Sequence, residues 1–287
     1  MAVVLRSAPR LVVVTLILLG ALFLLATRPG PSNARDWSPH QAVLSTAEFG
    51  GDTVHVRNVR HAVYRTVDDY TVRHEDRTYD LRTLESVWFM VEPIASPGIA
   101  HTLVSFGFAD GRYLAISVEI RKERGEAFHP VKGLLRQYEL MYVVADEGDV
   151  IRLRTDFRRD TVYLYPVRAT PERMRQMLVG MLARANTLAD QPEFYNTLTS
   201  TCTTNLVRHV NEVAPRRVNP WSPKVLLPAY ADELAHTLGL LDTDLPIVEA
   251  RRRYRIDEIA RSLPDTADFS AGIRRRMPRA ESRPGTD

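Results

Sequence analysis

From Val54 to Tyr64 apolar and polar residues alternate, the period of a strand with one face buried. Tyr70–Arg73 and Thr78–Leu81 flank a polar stretch and are expected to pair as a hairpin. Val87–Val91 is a short apolar run and reads as a strand. The clearest signal lies further on: His101–Phe108 and Tyr113–Arg121 are two strand-like runs joined by Ala109-Asp110-Gly111-Arg112. Asp-Gly between such runs predicts a tight hairpin. A three-residue loop with Gly111 left-handed sets His101 opposite Glu119, whereas a two-residue loop sets it opposite Ile120. Gln137–Val144, Val150–Arg154 and Val162–Val167 continue the series of strands.

The period then changes. Thr170-Pro171-Glu172 carries an N-cap residue followed by proline, and Met174, Met177, Leu178, Met181, Leu182 and Ala185 recur at helical spacing. After the loop around Pro192, a second helix is expected to start at Cys202 and end near Ala214-Pro215, with Leu206, Val210 and Val213 on its buried side. Strands followed by helices define an α+β fold with a central antiparallel sheet.

The N-terminus alters where this domain is expected to work. Leu11–Ala26 is uncharged and apolar, and Arg6 and Arg10 precede it. That is the pattern of a signal anchor or a signal peptide. We read it as one transmembrane helix in a bacterial inner membrane, with the rest of the chain in the periplasm. Ser32-Asn33-Ala34 supplies small residues for the alternative, cleavage. The organisation expected is an anchor over 1–28, a linker over 29–45, a folded domain over 46–245 and a basic appendage over 246–287. The appendage carries Arg251–Arg253 and Arg274–Arg276, read as a solvated face.

Composition removes several classes of function. The net charge is +3 and there is no interleaving of basic and aromatic residues, so nucleic acid is not an expected partner. With one cysteine and no His-x-x-x-His, a zinc site is not expected, and no metal or cofactor is called for. Neither a glycine-rich phosphate loop nor Gly-x-Ser-x-Gly occurs.

The single cysteine is the leading candidate for chemistry. Cys202 sits in Thr199-Ser200-Thr201-Cys202-Thr203-Thr204-Asn205, at the expected start of a helix. Unbonded N–H groups and the helix dipole there favour a thiolate. In an exported chain a lone thiol has no internal disulfide partner. The competing reading is a small apolar core residue. A nucleophile needs a base, and there are eight histidines. His209 lies on the same helix, two turns or ~10 Å away, too far for contact. His101 opens a strand, and Glu119 is the candidate third group.

The run His101–Phe108, the strand Ser117-Val118-Glu119-Ile120-Arg121 and the helix start Cys202-Thr203-Thr204-Asn205 resemble the DUF4105 family, described as the Lnb N-terminal periplasmic domain after a lipoprotein N-acyltransferase. The resemblance covers about Val54 to Asp242. It implies a circularly permuted papain-like (NlpC-type) fold in which His precedes Cys, with Cys202 as nucleophile and His101 as base. Ser117, Arg121 and Asn205, from the same motifs, are assigned to substrate contacts. The implied chemistry is acyl transfer through a thioester, from a phospholipid ester to an amine such as a lipoprotein N-terminus. The chain departs from Lnb-type enzymes in that nothing after Arg28 is apolar enough to span a membrane. A peptidoglycan amidase or peptidase on the same fold, or a non-catalytic envelope scaffold, are the alternatives.

Overall fold

A computed structural model describes residues 12, 13, 15, 16, 29–94, 97–264, 268–275 and 277. The chain divides into two units, 1–32 and 33–287. Nearly all of the anchor expected over 1–28 lies outside the described residues. Among those described, no helix is long and apolar enough to cross a membrane.

In the second unit eight strands form one sheet: β1 Thr46–Gly50, β2 Thr53–Tyr64, β3 Tyr70–Asp80, β4 Leu84–Pro93, β5 Ala100–Phe108, β6 Tyr113–Arg121, β7 Glu139–Ala145 and β8 Tyr163–Pro166. The order is β1-β2-β7-β6-β5-β4-β8, with β3 also paired to β2. All pairings are antiparallel except β2 with β7. The fold is therefore α+β with a mostly antiparallel central sheet.

The period of two sorts the strand residues onto two faces. Phe89, Val104, Ile116 and Tyr142 pack with Met177, Leu178, Met181 and Leu206 on one side. Met90, Leu103, Ala115 and Val143 pack with Ile151, Ile256, Ala260 and Phe269 on the other. The first face is covered by two long helices. α3 (Pro171–Asp190) is capped by Thr170, whose side chain accepts from the Arg173 N–H; α4 (Cys202–Val213) is capped by Thr201. The short helices α1 (Pro130–Leu134) and α2 (Glu147–Arg152) precede them. The remainder are α5 (Pro223–Leu226), α6 (Ala231–Thr237), α7 (Ile247–Arg253), α8 (Asp257–Ser262) and α9 (Phe269–Arg274).

Several local expectations change. Tyr70–Arg73 and Thr78–Leu81 do not pair with each other: Tyr70–Asp80 is one strand, and the turn lies before it, at residues 65–69. Val150–Arg154 is not a strand. Asp146 opens α2, and a π turn follows over Leu153–Phe157. Acidic residues in the first turn, Glu147 and Asp149, favour this helix over its β-branched content. Residues 33–45, read as linker, are packed: Trp37 is buried, and the Asn33 amide donates to the carbonyls of Leu188 and Ala189. The basic segment after 246 is part of the body as well. Ala250, Tyr254, Ile256 and Phe269 are core residues, and the buried Arg274 pairs with buried Glu147 at 2.8 Å.

Candidate active site

The β5–β6 hairpin has the three-residue loop. Gly111 adopts φ +82°, its N–H donates to the Phe108 carbonyl, and the Phe108 N–H donates to the Arg112 carbonyl. Only a residue without a Cβ takes that φ at no cost. The register then runs from Gly107↔Tyr113 to Leu103↔Ser117 and stops. Beyond that point β5 stays paired to β4, with His101 opposite Glu92, while β6 stays paired to β7. The sheet is thus split between β5 and β6 at one end, and the split is where the chemistry-bearing residues meet.

His101 enters this opening with the face that carries Leu103. Its Nε2 lies 2.7 Å from Ser117 Oγ and 3.7 Å from Glu119 Oε1. Ser117 Oγ donates to Glu119 Oε1 at 2.9 Å. The hydroxyl has one proton, so its oxygen accepts from His101 Nε2–H. The neutral ring is then the Nε2–H tautomer, and its lone pair sits on Nδ1. Among the described residues, Nε2 makes the ring's hydrogen bond, and Nδ1 is left to act as a base.

Arg154 organises the acids behind the ring. Its guanidinium donates to Glu92 at 2.7 Å, to Glu119 at 3.2 Å and to the Val150 carbonyl at 2.6 Å. Burial would raise the Glu119 carboxyl, but Arg154, then His101 and Arg60, hold it well below the usual carboxylate range. Burial and the Arg154 charge hold His101 down at about 4, against the pull of Glu119. The ring is therefore neutral at pH 7.

Cys202 is the first residue of α4, on the other face of the sheet. Thr201 and Thr204 form a reciprocal capping box, which occupies the N–H groups of both. The N–H groups of Cys202 and Thr203 have no preceding turn to bond to and remain as donors. Thr203 Oγ1 lies 3.2 Å from Thr102 Oγ1, which ties the helix start to the residue after His101. Cys202 is buried and 8% exposed. It lines a cleft of about 300 Å³ together with His101, Glu119, Arg154 and Tyr195. The two candidates thus reach one cleft from opposite faces of the sheet, around its split end.

The other assigned residues lie elsewhere. Ser117 is fully buried and links His101 to Glu119, so its place is behind the ring rather than against a substrate. Arg121 is buried over the Trp37 ring at 4.3 Å and donates to the carbonyls of Gln41 and Ala42 and to Asn33 Oδ1. It fastens the 33–45 segment. Asn205 is buried behind the helix start, donating to Ser200 Oγ and the Thr201 carbonyl. Arg121, Ser117 and Asn205 do not line the cleft.

His40 and Arg154, which line the cleft, and Glu92 behind Arg154 were not legible in the sequence as site residues. Arg154 ended a run read only as a strand, and Glu92 lay just past the run Val87–Val91. His40, whose Nδ1 is 2.6 Å from the Tyr70 hydroxyl, lay in an apparent linker. Burial and Arg60 hold His40 at about 4 as well. The apolar neighbourhood of Val150-Ile151-Arg152-Leu153-Arg154 was the one hint of a buried arginine.

These two histidines set a pH dependence. Their folded pKa values lie below the ordinary value of 6.5, so the unfolded chain binds protons first as pH falls. Stability should be complete above about pH 6.5 and decline between there and pH 4, by up to ~3 kcal/mol for each ring. Denaturant melts at pH 7 and pH 4.5 check this. In His101→Ala the decline should be smaller; an unchanged decline would remove His101 as its source.

The fold brings a helix-start thiol and a strand-end imidazole to one cleft on an α+β frame. A family model described as the Lnb N-terminal periplasmic domain matches residues 70–229, a span that holds His101, Glu119 and Cys202. The chain belongs to that family, one of periplasmic domains. Comparison with curated proteins and with solved structures finds no match.

Proposed function

We propose that the domain is a thiol acyltransferase or hydrolase working through a thioester on Cys202, on a permuted papain-like arrangement in which the base precedes the nucleophile in the chain. The observation that carries the reading is the cleft shared by Cys202 and His101, with the His101 lone pair fixed on Nδ1 by Ser117 and Glu119. Cys202 Sγ attacks an ester carbonyl while its proton passes to His101 Nδ1. The N–H groups of Cys202 and Thr203 receive the developing oxyanion. The carbon–oxygen ester bond then breaks, and the proton on Nδ1 goes to the leaving alkoxide. An amine attacks the thioester, loses its proton to His101 and leaves an amide with the thiol regenerated. Water in place of the amine gives a carboxylic acid.

Ile94, Ile99, Phe128 and Leu226 line the same cleft. Arg60, Lys122, Arg154 and Arg158 line it too; the apolar part of the lining is what favours a long-chain ester, such as that of a phospholipid or a lipoprotein, over the polar peptide of an amidase. The N-terminal apolar run, as a single-pass anchor in the inner membrane, would hold the domain where such esters are.

Intact-mass analysis after incubation with a phospholipid tests the proposal. Cys202 should gain one acyl group, removable by neutral hydroxylamine, and Cys202→Ala should gain none. An adduct that persists in Cys202→Ala, or no adduct with any ester, would sink it.

A further inference from the structure

The large apolar side chains exposed on this domain are not scattered. Of the fifteen exposed among the described residues of 33–287, eleven fall in four segments: 94–101, 127–138, 194–205 and 219–230. The other four are Val43, Phe49, Val67 and Val248. Isolated exposed apolar residues are ordinary, but a cluster marks a contact surface.

The four segments also lie together. Each contributes to the wall of the Cys202 cleft, through Ile99, Phe128, Tyr195 and Leu226 for example. They are joined around its mouth. The Ala229 N–H donates to the Gly98 carbonyl at 3.2 Å, Thr197 Oγ1 donates to the Pro130 carbonyl at 2.9 Å, and the Asn196 amide donates to the Leu134 carbonyl at 3.1 Å. Val131 and Leu134 follow the lining residues Phe128 and Pro130 at 53% and 46% exposure, and Leu227 lies between the lining residues Leu226 and Pro228 at 45%.

Charge selects the partner. The chain has 35 acidic residues, yet none lies in any of the four segments. Lys132, Arg136 and Lys224 do lie there; Lys132 pairs with Glu126 at 3.5 Å and Lys224 with Glu233 at 3.0 Å, both acids standing just outside the segments. Apolar and aromatic side chains at loop tips, with only basic residues among them, match the interfacial layer of an anionic bilayer, where Lys and Arg reach the headgroups.

We infer that this ring seats the mouth of the cleft directly on the lipid surface, so that an ester enters from the bilayer without crossing water. The inference gives the proposed activity its interface and rests on that reading for its purpose, though not for its test. The full chain is reconstituted in anionic phosphatidylglycerol vesicles with brominated acyl chains. A fluorophore is attached at Val131→Cys, Leu227→Cys or, as control, Val248→Cys, each in Cys202→Ala. Quenching is expected at 131 and 227 and not at 248. Equal quenching at all three sites, or none at any, overturns the inference. So does absence of quenching with a dimer in sedimentation, which would assign the ring to a second copy.

A second arm keeps Cys202 and combines Val131→Asp, Leu134→Asp and Leu227→Asp. Turnover of vesicle lipid should fall roughly tenfold or more, since each leucine withheld from the bilayer forfeits most of its transfer free energy. Hydrolysis of a water-soluble short-chain ester should be unchanged. If the unsubstituted protein turns over neither ester, the thioester reading fails while quenching still decides the docking. If the short-chain ester is lost in the triple variant, the ring is part of the cleft's own architecture and the inference fails.

Discussion

His101→Ala should reduce turnover by about 10²–10⁴-fold while leaving the fold intact. The ring has a free basic nitrogen at neutral pH, because burial and Arg154 hold it neutral and Ser117 fixes its tautomer. Without it, the thiol must lose its proton to water. Glu119→Gln and Ser117→Ala should cost less than His101→Ala, since each acts through the ring. Both should alter the pH profile, because either one loosens the hold on the tautomer. Glu119→Gln keeps an oxygen for Ser117 and leaves Arg154 paired with Glu92, so its melting point should change little. If it unfolds the protein without altering the profile, Glu119 serves the core and the positioning role is lost. Steady-state kinetics across pH 4–8, together with a denaturant melt of each variant, separate these outcomes.

The largest effect on stability should come from Arg154→Ala, at about 3–5 kcal/mol. Arg154 is 3% exposed and sits between Glu92, which is fully buried, and Glu119. Arg158 approaches Glu92 only to 3.6 Å from the more exposed side. Removing Arg154 leaves two acids in a low-dielectric interior, with one of their three nearby cations gone from the centre. The paired charges themselves add little net stability; the loss comes from stranding the survivors. Arg154→Met with Glu92→Leu should therefore recover much of the loss, since it removes one charge from each side. A chemical denaturation series on the three proteins measures this. A loss for Arg154→Ala no larger than that of an exposed arginine would show that water reaches the acids.

Both predictions depend on residues that differ in how visible they were. Cys202 was legible because it is the one cysteine and precedes an amphipathic run. His101 was suggested by its place at a strand start and by the family resemblance; Glu119 depended on a loop length that the sequence left open between two and three residues, and the structure has three. Ser117 was visible as a motif member but given the wrong place. Its link between His101 and Glu119 is diagonal across the strands, which pattern alone does not rank. Arg121 and Asn205 were read as substrate contacts, yet polar groups in a motif are as often spent on holding the backbone. Arg121 holds residues 33–45, and Asn205 holds the start of α4.

The chain by itself determined the elements whose cause is local: alternation along β2, β5 and β6, the Thr170-Pro171 cap, a hairpin at Asp110-Gly111, and the start of a helix at Cys202. Each follows from sterics and hydrogen bonding within a few residues. Tertiary structure decided the rest. It made Tyr70–Asp80 one strand because β2 offers a full-length partner, and it made Val150–Arg154 a helix and a π turn that turn Arg154 toward the buried Glu92 and the partly buried Glu119. It split the sheet between β5 and β6, and so brought a thiol on one face and an imidazole on the other to one cleft. That split is a property of which strands pair beyond Leu103: β5 keeps β4 on one edge, β6 keeps β7 on its far edge, and the edge between β5 and β6 opens. No window of sequence contains all four strands, so no local pattern could have announced it.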